Sequence, residues 1–204
     1  MSAKENPCFP APGSTDSVQL WKRDARGRYV NLASNIAVKD APGLASGGIL
    51  ADDMGLGKTL QIISLILTGG SGSTLIIAPV SVMSNWEQQI KRHVLPENAP
   101  KVLIYHGAER RVAKLTDYDV VVSSYGTLSS EQANQGNLFK VNWRRVVLDE
   151  GHTIRNAKTK AAVAACALNA QSRWVLTGTP MQVPSNPFHN VQALTVYHQC
   201  QQRP

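Results

Sequence analysis

The chain has 204 residues, 43% of them apolar, with 21 Lys and Arg against 14 Asp and Glu for a net charge of +7. That length and apolar content exclude a disordered chain and suit one domain with a sizeable core. The longest apolar run, residues 60–67, is too short to cross a bilayer and contains Ser64, and no N-terminal apolar leader is visible.

The positive balance fits a polyanionic partner. Cys8, Cys166 and Cys200 are odd in number and lack metal-ligand spacing, so they read as reduced thiols of a cytosolic or nuclear protein. Residues 1–17, rich in Pro, Ser, Gly and Ala, predict a disordered or irregular arm. Residues 18–46 hold Trp21, Tyr29 and a basic patch (Lys22, Arg23, Arg26, Arg28) without clear periodicity. They predict a segment that wraps the domain edge.

From Gly47 the pattern becomes regular. Short continuous apolar runs at Ile49–Ala51, Leu75–Ala78, Val102–Tyr105, Val120–Val122, Val146–Leu148 and Trp174–Leu176 predict strands covered on both faces. Helices are predicted between them at Lys58–Leu67, Val80–Val94, Ala108–Leu115, Ser124–Ser130 and Ala157–Leu168. Gly69–Ser73 predicts a flexible turn and Glu131–Asn137 a polar loop. The alternation implies an α/β fold with a mostly parallel sheet flanked by helices on both faces. Ligands of such sheets bind at the carboxyl ends of the strands, where every polar signature of this chain falls.

The first signature is Asp52-Asp-Met-Gly-Leu-Gly-Lys-Thr59, between an apolar strand and an apolar helix. Backbone N–H groups of the loop Asp53, Met54, Gly55, Leu56 and Gly57 would cradle phosphate oxygens at the positive end of the helix dipole. Lys58 would reach the β- and γ-phosphates of ATP, and Thr59 would offer its hydroxyl to Mg²⁺. The first Gly of the general pattern G-x-x-x-x-G-K-[ST] falls on Asp52.

Residues 146–152 read Val-Val-Leu-Asp-Glu-Gly-His. Asp149 would hold Mg²⁺ directly or through water, Glu150 would act as general base on the attacking water, and His152 would link the site to another surface. The alternative is an acidic pair at an ordinary strand end. Residues 173–180 read Arg-Trp-Val-Leu-Thr-Gly-Thr-Pro. Thr177, Gly178 and Thr179 would report nucleotide state to the catalytic acid, or merely end a strand.

Pro79 and Ser81 follow the second strand, and Ser124 and Tyr125 follow the fourth. They suit a nucleic-acid phosphate backbone, and ordinary N-capping by Ser81, Ser123 or Ser124 fits equally well. Trp86 reads as core rather than a base-stacking platform. The pairs Lys91-Arg92, Arg110-Arg111 and Arg144-Arg145 read as solvated faces, with contact to a phosphate as the alternative for any one of them, and His93 and His106 receive no role. A phosphate-loop kinase is the weaker reading, because no lid or acceptor site accompanies these signatures.

In this order the segments resemble the Swi/Snf-like branch of the superfamily-two helicase-like ATPases. Residues 52–59 look like motif I, which in this family carries Asp at the first position, and residues 76–81 look like motif Ia. Residues 149–152 look like motif II in its DEGH form, and residues 176–182 like motif III. Gly47–Thr59 and Trp143–Asn156 carry a resemblance to the DNA-repair subgroup that includes the helicase-like transcription factor and its fungal post-replication-repair relatives.

The resemblance covers about residues 20–182. It implies a RecA-like lobe at 18–182, ATP and Mg²⁺, duplex DNA as track, nucleosomes or repair proteins as further partners, no membrane, and the nucleus as location. It also implies a second RecA-like lobe that supplies an arginine finger and full activity. The adenine-reading Gln segment of the family is not recognisable in residues 1–46. Residues 183–204 depart from the family pattern after Gln182 and read as a divergent tail from truncation or another reading frame. A lone lobe is expected to bind Mg²⁺-ATP with little or no turnover.

Overall fold

The computed structural model describes residues 1–107 and 114–178. The chain divides into two compact units, Met1–Gly47 and a second beginning at Gly48. The first unit holds a short helix α1 (Ser2–Glu5) and a three-stranded antiparallel sheet of β1 (Trp21–Arg23), β2 (Tyr29–Asn31) and β3 (Ala37–Val38). Strands of two and three residues are too short to show alternation, which is why residues 18–46 look featureless as sequence. Their basic patch has local work. Asp24 accepts from the backbone N–H groups of Arg26 and Arg28 and pairs with the Arg28 guanidinium at 2.9 Å, closing the β1–β2 turn. Arg23 lies over the Tyr29 ring, 5.3 Å from its centroid. Gly13 in the expected arm donates to the Arg23 carbonyl, so the arm is tied to β1.

The remaining strands are β4 (Gly47–Leu50), β5 (Thr74–Ala78), β6 (Val102–Ile104), β7 (Val120–Ser124), β8 (Trp143–Leu148) and β9 (Ala170–Leu176). They form one sheet in the order β4-β9-β8-β5-β7-β6. β5 pairs in parallel with β7 and β8, β6 with β7, and β8 with β9. The helices are α2 (Lys58–Thr68), α3 (Val80–His93), α4 (Tyr125–Ala133) and α5 (Lys160–Ala167).

Successive strand residues point to opposite faces. Leu75, Ile77, Val121, Val146, Leu148 and Val175 share a core with Leu128 of α4 and Ala162, Ala164 and Ala165 of α5. The alternate residues Ile76, Val120, Val122, Val147 and Trp174 are also buried, together with Ile62, Ile63 and Leu65 of α2 and Met83, Trp86 and Ile90 of α3. Thus α2 and α3 cover one face and α4 and α5 the other. Each fully buried aliphatic side chain contributes about 1.5–3 kcal/mol, so the sheet is fixed by its two covers.

Several expectations change. β8 starts at Trp143 and β9 at Ala170, because polar Arg144, Arg145, Ser172 and Arg173 hide the strand signal at their start. α5 is shorter than expected, since the Thr159 hydroxyl caps it by accepting from Ala162 N–H. Glu131 lies in α4 rather than in a loop, and its carboxylate accepts from the Tyr105 hydroxyl and from Leu138 N–H. The expected helix Ala108–Leu115 falls almost wholly outside the described residues, as do Arg110, Arg111, Thr179 and the tail 183–204. Cys8 is a free thiol as expected. Cys166 is disulfide-bonded instead.

Arg145 is the clearest correction. It is not on a solvated face but 1% exposed inside the sheet. Its Nη1 donates to Thr74 Oγ1 at 3.2 Å. Its Nη2 lies so close to Gly69, the residue that ends α2, that a Cβ there would stand 2.6 Å away. A guanidinium at a helix carboxyl end meets the negative pole of the dipole, which offsets part of its desolvation. Arg145→Ala is therefore expected to lower the unfolding free energy by about 3–5 kcal/mol, through a cavity and lost polar partners. A urea melt with an unchanged midpoint would refute this.

Candidate nucleotide site

The strand order gathers the polar signatures along the carboxyl edge of the sheet. β4, β9 and β8 are neighbours, so the loop 51–57, Thr177-Gly178 and Asp149-Glu150 stand side by side. β5 and β7 follow on the other side and carry Pro79–Ser81 and Ser124-Tyr125. Two hydrogen bonds continue the ladders past the strand ends: Thr177 N–H to Leu50 O and Asp149 N–H to Ile77 O, at 3.2 and 2.8 Å.

The loop is shaped by two left-handed glycines, Gly55 (φ 88°) and Gly57 (φ 74°). A side chain at either would be strained. Gly57 is the residue before α2, and no side chain caps that helix. The N–H groups of its first turn are therefore free to meet an anion. Lys58 Nζ donates to the carbonyls of Asp52 and Asp53 at 2.6 and 2.9 Å. Gln61 Nε2 reaches Asp52 Oδ2 and Leu56 O. Asp52, the irregular first position of the loop, thus serves as an anchor for α2.

A cavity of about 390 Å³ adjoins this loop. Met54, Gly55, Gly57, Lys58, Thr59 and Leu60 line one side, Asp149 and Glu150 another, and Val82, Asn85 and Gln89 of α3 the third. Sequence reasoning missed the last group. Its only signal is an amide pair spaced i, i+4 on a helix, flanking Trp86. Gly178 borders the loop as well: a Cβ on it would stand 3.1 Å from Met54 Cγ.

Asp149 is held by side-chain and backbone donors from three directions. Trp86 Nε1 donates to its Oδ2 at 2.8 Å, and Glu150 N–H to its Oδ1 at 2.9 Å. The Tyr125 hydroxyl donates to its backbone carbonyl at 2.7 Å. Burial pushes the Asp149 carboxyl above the ordinary carboxylate value. The Trp86 and Glu150 hydrogen bonds pull it back, the Glu150 charge adds to the rise, and Lys58 opposes it. Burial likewise drives the Tyr125 hydroxyl well up, reinforced by the two carboxylates. Glu150 adopts a left-handed backbone (φ 48°), and its Oε2 lies 3.2 Å from His152 Nδ1.

Among the expected nucleic-acid contacts, Ser124 and Tyr125 are 2% and 7% exposed. The Ser124 hydroxyl caps α4 by accepting from Thr127 N–H, so the capping alternative is the geometry found there. Ser81 is exposed and caps nothing, since α3 starts after Pro79 without a side-chain cap. Trp86 is core, as expected, and is also a hydrogen-bond donor. No helix of the described residues is long and apolar enough to cross a membrane. Among those residues no group of three metal-ligating side chains occurs. Lys58, Thr59 and the Asp149–Glu150 pair around uncapped N–H groups fit Mg²⁺ carried by a phosphate chain, which takes few protein ligands.

A model of the SNF2-related domain matches residues 18–196. The DNA repair protein rad8 of Schizosaccharomyces pombe is 37% identical over 166 residues, which cover 66% of this chain and 15% of rad8. RAD5B, a DNA repair protein of Arabidopsis thaliana, is 35% identical over 219 residues, covering 87% of this chain and 17% of RAD5B. The chain thus spans less than a fifth of either relative. Among solved structures, the Sulfolobus solfataricus SWI2/SNF2 ATPase core in complex with dsDNA matches with a TM-score of 0.59 at 30% identity, over 73% of this chain and 30% of that one. With its six-stranded sheet, its glycine-bearing loop before α2 and its acidic pair at one carboxyl edge, the chain belongs to the SNF2-related family of helicase-like ATPases.

Proposed function

We propose that this lobe binds Mg²⁺-ATP at the β4–β9–β8 edge and serves a DNA-dependent ATPase of the chromatin-remodelling and DNA-repair type, working on duplex DNA in the nucleus. The observation that carries the reading is one cavity lined jointly by Gly57-Lys58-Thr59 and Asp149-Glu150. The N–H groups at the start of α2 and the Lys58 ammonium bind and orient the phosphates. To do so Lys58 exchanges the Asp52 and Asp53 carbonyls for phosphate oxygens. Thr59 and Asp149 are the residues that would hold Mg²⁺, which supplies charge neutralisation at the phosphate oxygens when bound. Glu150 takes a proton from the attacking water, with His152 Nδ1 3.2 Å from its carboxylate. Thr177 and Gly178, beside the loop, relay the state of the phosphates along β9.

Among the described residues no arginine lines the cavity. This favours a second reading for the 204-residue polypeptide by itself: binding without fast turnover, the arginine finger coming from a second RecA-like lobe. The test is titration of the purified chain with a fluorescent ATP analogue and Mg²⁺, followed by phosphate-release assays with and without duplex DNA. Saturable binding with slow release in both assays is expected. Absence of binding would overturn the site, and rapid DNA-stimulated release abolished by Lys58→Ala would overturn the second reading.

A further inference from the structure

Asp149 is gripped from both faces of the sheet. On one face Trp86, 1% exposed in α3, donates its only hydrogen-bonding group to the carboxylate at 2.8 Å. On the other, Tyr125, 7% exposed at the first turn of α4, donates to the carbonyl of the same residue at 2.7 Å. The backbone N–H of Asp149 is fixed to β5 through Ile77 O. A buried indole N–H and a buried phenol hydroxyl each need a partner, and each has spent it on the same acidic residue. With Glu150 N–H on Oδ1, both carboxylate oxygens carry a fixed donor. Their remaining lone pairs then point in set directions, toward the cavity that holds Lys58 and Thr59.

We propose that Trp86 and Tyr125 are positioning residues that aim the Asp149 carboxylate at the divalent cation accompanying the nucleotide. The inference rests on the nucleotide-site reading above. It adds that metal affinity is set from outside the ligand set, by α3 and α4. Neither residue touches the cation; each acts through Asp149. Because one donor lies on each face, loss of either lets the strand end tilt toward the other.

The test is the affinity of the intact chain for a fluorescent ATP analogue, measured in EDTA and across a Mg²⁺ series. In the wild type Mg²⁺ strengthens binding. Tyr125→Phe keeps the ring and removes only the donor; Trp86→Phe keeps an aromatic ring, removes the donor and leaves a small void in the core. Each is expected to lose about tenfold or more of the Mg²⁺-dependent gain while leaving the EDTA affinity unchanged. Equal gains in wild type and both variants would overturn the proposal. So would parallel losses in EDTA and Mg²⁺, the mark of a merely structural role.

If a variant fails to fold, the Trp86 indole N–H resonance of the nucleotide-loaded wild type decides. It shifts on Mg²⁺ addition if the proposal holds, and a resonance that stays still overturns it. Absence of nucleotide binding by the wild type would instead sink the underlying site reading.

Discussion

Lys58→Ala is expected to weaken Mg²⁺-ATP binding by about tenfold to a hundredfold, the range for loss of a charged donor to a phosphate. The ammonium lies within 2.6–2.9 Å of two loop carbonyls, so the loop already holds it at the mouth of α2. Binding then needs only an exchange of acceptors, with little reordering of the chain. The alanine variant loses both the charge and the tie that closes the loop. The sheet itself is untouched, because β4 is held by β9 through Leu50 and Thr177. Far-UV circular dichroism should therefore match the wild type while the titration curve moves. Equal affinities would remove the phosphate-loop assignment altogether.

Glu150→Gln should separate binding from chemistry. The amide has nearly the same shape, so ATP affinity should stay within about twofold, whereas single-turnover hydrolysis should fall by about 10²- to 10⁴-fold, the usual worth of a general base. The geometry favours this separation. The backbone N–H of Glu150 serves Asp149, while its side chain meets only His152 among the described groups that pair with it. The substitution leaves the Asp149 grip intact. Persistent turnover would place the base elsewhere in the cavity.

The gathering of the proposed site's residues was largely legible in the sequence because its parts are local. A Gly-Lys-Thr triplet opens a helix, and an acidic pair ends an apolar run. Each carries its chemistry within a few residues, and the parallel sheet brings the pieces to one edge. The grip on Asp149 was illegible for the opposite reason. Trp86 and Tyr125 reach it across 63 and 24 positions. Trp86 sits in the apolar stripe of α3, where an aromatic ring needs no explanation beyond packing. Arg145 was misread because charge alone suggests solvent. Only the fold shows that its guanidinium ends beside Gly69, at the close of α2. The antiparallel sheet of residues 21–38 escaped notice because its strands are shorter than one period of evidence for alternation.

The left-handed backbone of Glu150 carries a consequence for how this sequence can change. At φ 48° a glutamate is held in a conformation that costs of order 1 kcal/mol and that glycine or asparagine adopts readily. Selection for a more durable lobe would therefore favour replacing this residue, and each such replacement deletes the proposed base. Position 150 is thus a place where robustness and turnover pull in opposite directions.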